Sequence, residues 1–194
     1  FELWGALLNG GRCVLFPGRI PTLEGLRREL TAHRVDTLWL TAALFNFVVD
    51  EDVSMLRGVR QLLTGGEALS VPHVRKALES LPETFVINGY GPTETTTFAT
   101  CHRIPRDLPA DVESIPIGRP IRRTWVRILD RAGRPVPAGA IGELCIGGPG
   151  VARGYLNRPE LTAERFIADP SAADPLALLY HTGDRVRWRM DGTV

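Results

Sequence analysis

The chain has 194 residues, 44% of them hydrophobic and 23% charged, a balance that suits one compact domain or part of a larger one and excludes a disordered chain. Its 23 lysines and arginines against 22 aspartates and glutamates leave a net charge of +1, too little for the counterion-release term behind non-specific nucleic-acid binding. Three widely spaced cysteines, Cys13, Cys101 and Cys145, form no metal or redox pair, and no run approaches the roughly 20 apolar residues of a membrane span. The expectation is a soluble, cytoplasmic protein with no nucleic-acid or membrane partner.

In chain order, Phe1, Leu3, Trp4, Leu7 and Leu8 repeat at helical spacing before Gly10-Gly11, with no cap ahead of Phe1. A short buried strand is predicted over 13–16, a helix over 22–33 capped by Thr22, a strand over 36–40, and a helix capped by Thr41 through 49. A strand over 61–63, a helix over 70–80 opened by Ser70 with Pro72 in its first turn, and a strand over 85–87 complete this half. Strand-helix alternation implies right-handed crossovers and a parallel sheet.

Beyond about residue 98 the texture changes. Prolines interrupt short strands predicted over 126–129, 143–146 and 185–189, with 130–133 as a hairpin loop and a helix over 159–166 capped by Asn157. The expected organisation is an α/β segment over 1–103 followed by a mainly antiparallel, distorted barrel-like β segment over 104–194. At the end, Asp191-Gly192 reads as a hairpin turn with only Thr193 and Val194 beyond it. An uncapped first helix and a hairpin without its second strand make an internal piece of a longer protein the expectation.

In open α/β sheets the ligand crevice lies beyond the carboxyl ends of the strands. Two segments stand there: Thr64-Gly65-Gly66-Glu67, and Asn88-Gly89-Tyr90-Gly91-Pro92-Thr93-Glu94-Thr95-Thr96. The second offers an aromatic face, glycines that admit a ligand to the backbone, several hydroxyls and one carboxylate. Such a set can stack a base, bind phosphate oxygens through Thr93 and place Glu94 on a Mg²⁺ ion. The same residues also fit a turn whose Tyr90 plugs the core and whose threonines begin a strand. A third segment, Tyr180-His181-Thr182-Gly183-Asp184, can accept two hydrogen bonds from a ribose diol or be a plain turn. The Gly147-Gly-Pro-Gly150 run lacks the Lys-Ser or Lys-Thr of a phosphate loop and reads as a tight turn.

Taken together, 88–96 resembles the fifth core motif of nonribosomal peptide synthetase adenylation domains, within the superfamily of AMP-dependent synthetases and ligases. Gly142-Glu-Leu-Cys-Ile-Gly-Gly-Pro-Gly-Val-Ala-Arg-Gly-Tyr-Leu156, with Asn157-Arg158-Pro159-Glu160-Leu161-Thr162, resembles the sixth, and 180–184 the seventh. The first eleven residues are similar to the fourth. The resemblance runs from end to end and implies part of the large N-terminal lobe of an adenylate-forming enzyme. Such an enzyme condenses an amino acid with ATP to an aminoacyl-AMP, then passes the acyl group to a phosphopantetheine thiol on a carrier domain. A condensation domain in the same synthetase is a further implied partner.

Residue by residue, the resemblance implies that Tyr90 stacks on adenine, with Asn88, Gly66 and Glu67 near its edge. Thr93 and Glu94 become the catalytic pair, Thr93 on the α-phosphate and Glu94 on Mg²⁺, and Asp184 holds the ribose hydroxyls. The acyl pocket maps to Phe1, Trp39, Leu63, Gly65, Gly89, Thr97 and Phe98. This apolar set implies a small branched aliphatic substrate, valine first, with isoleucine separated from it by only about 1 to 3 kcal/mol.

There are departures too. His181 stands where the family more often has Arg or Lys. The only lysine, Lys76, sits on a predicted helix and reads as a surface charge. The phosphate-loop lysine is expected before Phe1 and the catalytic lysine of the mobile lobe after Val194, so the chain alone is not expected to adenylate efficiently. An acyl- or aryl-CoA ligase shares the fold and mechanism and is the nearest rival, and a non-catalytic nucleotide-binding remnant is another. The absence of an opening Gly-x-Gly-x-x-Gly disfavours a dinucleotide oxidoreductase.

Overall fold

A computed structural model describes residues 1–170, 172 and 174–194. They divide into two compact units, one of residues 1–88 with 103–115 and one of 89–102 with 116–194.

The first unit begins with α1 (Glu2–Leu7), α2 (Leu23–His33), β1 (Thr37–Thr41) and α3 (Ala42–Asp52). The Thr22 hydroxyl accepts from the Gly25 N–H at 3.1 Å, and the Thr41 hydroxyl accepts from Leu44 at 3.3 Å. Both predicted threonine caps therefore start their helices by satisfying an orphan amide. A single 3₁₀ turn leads to β2 (Gln61–Gly65), α4 (Val71–Ser80) and β3 (Phe85–Tyr90), the last of which runs on into the second unit. β1 and β2 are parallel, with Trp39 opposite Leu63 and Thr41 opposite Gly65.

The core is built where these elements meet. Phe45, Val48 and Val49 of α3, Leu62 of β2, Val74 and Ala77 of α4 and Val86 of β3 are wholly buried. Each large side chain there is worth roughly 1.5 to 3 kcal/mol of burial. Arg106 locks the returning segment onto α4 by donating to the carbonyls of Leu78, Leu81 and Thr84 at 3.0, 3.0 and 2.8 Å. Two of these carbonyls, Leu78 and Leu81, lie at the helix's own C-terminal end, where a cation is favoured. Arg75 makes a second clasp to the carbonyls of Leu108 and Pro109.

The second unit carries β4 (Thr100–Arg103, whose last residue returns to the first unit), β5 (Arg119–Pro120), β6 (Trp125–Leu129), β7 (Gly142–Gly147), α5 (Pro159–Arg165), β8 (Phe166–Ala168) and β9 (Leu178–Val186). β4 and β5 pair antiparallel, and β6-β7-β9-β8 form an antiparallel sheet. That sheet is open, and no closed barrel forms among the described residues. Ala99, Leu144 and Ile146 are fully buried against Tyr90, Ile117, Val126 and Val186. On the sheet, the Trp125 indole lies so close over Gly147 that a Cβ there would come within 2.1 Å of its Nε1. That nitrogen donates to Asp169 Oδ2 at 2.8 Å, and Arg127 Nη2 donates to Asp169 Oδ1 at 3.0 Å.

Four local expectations fail, in whole or in part, for identifiable reasons. Residues 13–16 form no strand, because no partner pairs with them among the described residues. Ser70 does take the N-cap position of α4, but its hydroxyl caps no amide and is engaged by His73 Nδ1 at 2.6 Å instead. Asn157 adopts the left-handed conformation at φ 55° and Arg158 takes the cap position of α5. The last strand ends at Val186, and Trp188 lends only its carbonyl, to the Gly139 N–H. Past the Asp191-Gly192 turn, Val194 pairs with Gly118. Lys76 is a surface charge, 3.9 Å from Asp50.

Candidate functional site

After Asn88 the 88–96 motif continues in the second unit, leaving β3 as a tight loop. The Ala99 N–H donates to the Tyr90 carbonyl at 2.8 Å, closing the loop on itself. Gly89 permits this, since a Cβ there would meet the Phe98 ring at 2.6 Å. Between these points Thr93–Thr95 make a short 3₁₀ turn, and Thr96 and Thr97 take φ values of 64° and 71°. Left-handed backbone is costly for β-branched residues and is retained where the surroundings over-determine it. Here the surroundings are the stretch 147–152: Thr96 Oγ1 donates to the Gly150 carbonyl at 2.7 Å, and the Ala152 N–H donates to the Glu94 carbonyl at 2.8 Å.

Tyr90 and Asp184, 94 residues apart in sequence, are in contact: the Tyr90 hydroxyl donates to Asp184 Oδ2 at 2.5 Å. Burial, and then this carboxylate, raise the Tyr90 phenol above its ordinary range, so it remains a donor at all physiological pH. Asp184 is presented by the turn that ends in Gly183, at φ 81°. Thr182 Oγ1 donates to the Leu144 carbonyl at 2.8 Å and accepts from the Asp184 N–H at 3.0 Å. Glu143 fixes the same turn, accepting from the Gly183 N–H at 3.1 Å and lying 3.2 Å from His181 Nδ1. His181, where the resemblance leads one to expect a longer cation, thus faces a carboxylate on the neighbouring strand. Asp184 itself is exposed, with acceptor capacity beyond the one hydroxyl it receives.

Glu94 is partly buried and Thr93 exposed. Burial alone would raise the Glu94 carboxyl; the Tyr155 hydroxyl, the backbone, Tyr180 and the charge of Arg165 outweigh it and hold the group below its usual range. It is therefore ionised at neutral pH. A single ionised carboxylate is what Mg²⁺ uses when phosphates supply the remaining ligands, and no cluster of three His, Cys, Asp or Glu side chains offers an all-protein cage among the described residues. The donor set fits a nucleotide-borne Mg²⁺.

In the first unit, Leu63 and Gly65 end β2 beside Trp39 and Thr41. Gly66, at φ 87°, turns the chain and leaves Glu67 exposed. Asn88 is buried. Phe1 is 42% exposed and its ring lies beside Gly5. In the second unit Thr97 is exposed and Phe98 partly buried. Sequence reasoning misses Tyr155, Tyr180 and Glu143, which lie inside motif blocks to which it assigns no chemistry at those positions. Nothing in their spacing points to Glu94 or to the turn of Asp184.

The family model for AMP-binding enzymes matches residues 1–156. Over its whole length the chain is 54% identical to a linear gramicidin synthase of Brevibacillus parabrevis and 45% identical to tyrocidine synthase 3 of the same organism, spanning 2% and 3% of those proteins. Among solved structures it is similar to an NRPS protein containing adenylation and PCP domains, with 44% identity and a TM-score of 0.92 over 99% of this chain and 39% of that one. The N-terminal subdomain of Klebsiella oxytoca NpsA shows 30% identity and a TM-score of 0.91, over 99% of this chain and 48% of that one. The chain belongs to the AMP-binding enzyme family and carries part of the N-terminal lobe of a nonribosomal peptide synthetase adenylation domain.

Proposed function

We propose that the chain binds ATP and a small aliphatic amino acid, valine first, within an enzyme that forms aminoacyl-AMP and loads it on a phosphopantetheinyl carrier domain. The observation that carries the nucleotide reading is the contact of Tyr90 with Asp184. It sets an aromatic ring and an exposed carboxylate side by side, as an adenosine requires for its base and its ribose diol. Asn88, Gly66 and Glu67 are assigned to the adenine edge by the resemblance to the family.

In the reaction a carboxylate oxygen of the amino acid attacks the α-phosphorus, an O–P bond forms, and the bond to pyrophosphate breaks. Charge spreads over the α-phosphate oxygens, so fixed donors are what lowers the barrier. Thr93, exposed at the start of the 3₁₀ turn, supplies a hydroxyl, and Glu94 supplies the carboxylate that holds Mg²⁺. Bound there, the metal neutralises phosphate charge. Asp184 orients the sugar by accepting from its hydroxyls. Phe1, Trp39, Leu63, Gly65, Gly89, Thr97 and Phe98 are assigned to the substrate side chain. The set has no charged member, which favours valine over a polar amino acid.

ATP titrated in the presence of Mg²⁺ into the intact synthetase and its Tyr90→Ala and Asp184→Ala variants tests the first part. Loss of a stacking ring, at about 1 to 3 kcal/mol, corresponds to roughly 5- to 150-fold weaker binding. If neither variant weakens binding, the nucleotide assignment is wrong. Amino-acid-dependent exchange of pyrophosphate into ATP tests the second: valine is expected to be fastest, and a preference for an acidic, basic or aromatic amino acid refutes the substrate assignment.

A further inference from the structure

Glu94 sits in a 3₁₀ turn of three residues, too short to fix its side chain. What fixes the carboxylate comes from far along the chain. The Tyr155 hydroxyl donates to Glu94 Oε1 at 2.5 Å across 61 positions, and the Tyr180 hydroxyl lies 3.4 Å from that of Tyr155.

Tyr155 is itself held at its backbone and at its ring. Its N–H donates to Thr162 Oγ1 at 2.9 Å, and that hydroxyl donates in turn to the Arg158 carbonyl at 2.8 Å. Its ring meets Phe166 edge-on at 5.4 Å, and Phe166 packs on Tyr180 at 5.0 Å. Gly154 makes the approach possible: at φ 138° it has no Cβ, and one placed there would lie 2.3 Å from Thr162 Cγ2. The first turn of α5, Gly154 and Tyr155 therefore form one chain of contacts that ends on a single carboxylate oxygen. A tyrosine serving only to fill the core needs none of this beyond its ring.

The geometry points to Tyr155 as a positioning residue that holds the Glu94 carboxylate in the rotamer that receives Mg²⁺. The inference rests on the reading of Glu94 as the metal-holding group. A free glutamate loses side-chain entropy when it binds, and ordering it beforehand removes that cost from metal binding. Together with the loss of a charge-assisted hydrogen bond, this makes the expected effect on the order of ten-fold.

The test measures ATP binding to the intact synthetase at increasing Mg²⁺, and again in EDTA, for Tyr155→Phe, Glu94→Gln and the double variant, alongside thermal melting. Tyr155→Phe, which keeps the ring, is expected to raise the half-saturating Mg²⁺ concentration about ten-fold. ATP affinity in EDTA should be unchanged, and the double variant should behave as Glu94→Gln alone. If Glu94→Gln raises the Mg²⁺ requirement and Tyr155→Phe does not, the positioning role is refuted while the metal assignment stands. If Glu94→Gln also leaves it unchanged, both fall. Equal weakening of Tyr155→Phe with and without Mg²⁺, together with a lowered melting temperature, marks a purely structural residue and overturns the proposal. Should Tyr155→Phe not fold, Thr162→Val, which releases the Tyr155 N–H, takes its place. A smaller shift in the same direction supports the role, and no shift refutes it.

Discussion

Asp169 offers a direct measure of how the antiparallel sheet is held. Its side chain is fully buried, and it accepts from the Trp125 indole at 2.8 Å and from Arg127 at 3.0 Å. Asp169→Ala leaves one indole N–H and one guanidinium without their partner. Each buried donor left unpaired costs about 1 to 3 kcal/mol, but the Arg127 side chain is 27% exposed and water recovers part of its share. The sum is about 2 to 4 kcal/mol, or roughly 5 to 15 °C in melting temperature for a domain of this size. Asp169→Asn keeps the shape and one acceptor, so it should cost about half as much. Thermal melts followed by tryptophan emission, to which Trp125 contributes as one of four tryptophans, separate the two. If Asp169→Ala melts within about 2 °C of the parent, or if Asn is as damaging as Ala, these hydrogen bonds do not hold the sheet.

Three further expectations follow from single residues. Gly91→Ala should destabilise by about 1 to 3 kcal/mol and weaken ATP binding, because its Cβ would meet the Thr97 carbonyl at 2.5 Å and the Ala99 nitrogen at 2.6 Å, both backbone; an unchanged urea midpoint would count against it. Burial holds the His102 imidazole below its ordinary range, with Asp191 opposing and Arg189 adding to the shift. The unfolded chain therefore takes up that proton more readily, so stability is full above about pH 6.5 and falls as the pH drops below it. His102→Gln should flatten the dependence of the urea midpoint between about pH 7.5 and 5.5. Burial, with Glu143 nearby, pushes the Cys145 thiol up to about 12, so iodoacetamide at about pH 8 should label the half-exposed Cys13 and spare Cys145 until the protein unfolds.

Features set by neighbouring residues are readable in the sequence. Thr22 and Thr41 cap their helices because an N-cap is settled within one helical turn, and α3 and α4 form over the stretches the sequence marks for them. Asn157 misleads because its residue type suits a cap, whereas its backbone turns left-handed at φ 55° and Arg158 takes the cap position instead. The stretch 13–16 is apolar enough for a strand, but a strand exists only by its partner. Family motifs draw attention to Tyr90, Glu94 and Asp184. The contacts of Tyr155 with Glu94 and of Glu143 with the turn before Asp184 depend on pairings 61 and 40 positions apart, which no local pattern encodes.

The path of the chain bears on how such proteins can be recombined. It passes from one unit to the other after Asn88, returns after His102 and leaves again after Ile115, so no single crossover point delivers either unit whole. A chimera that exchanges 116–194 must bring 89–102 from the same parent. One that replaces 103–115 alone takes Arg106 away from the carbonyls of Leu78, Leu81 and Thr84 and leaves α4 with a donor matched to another parent's helix.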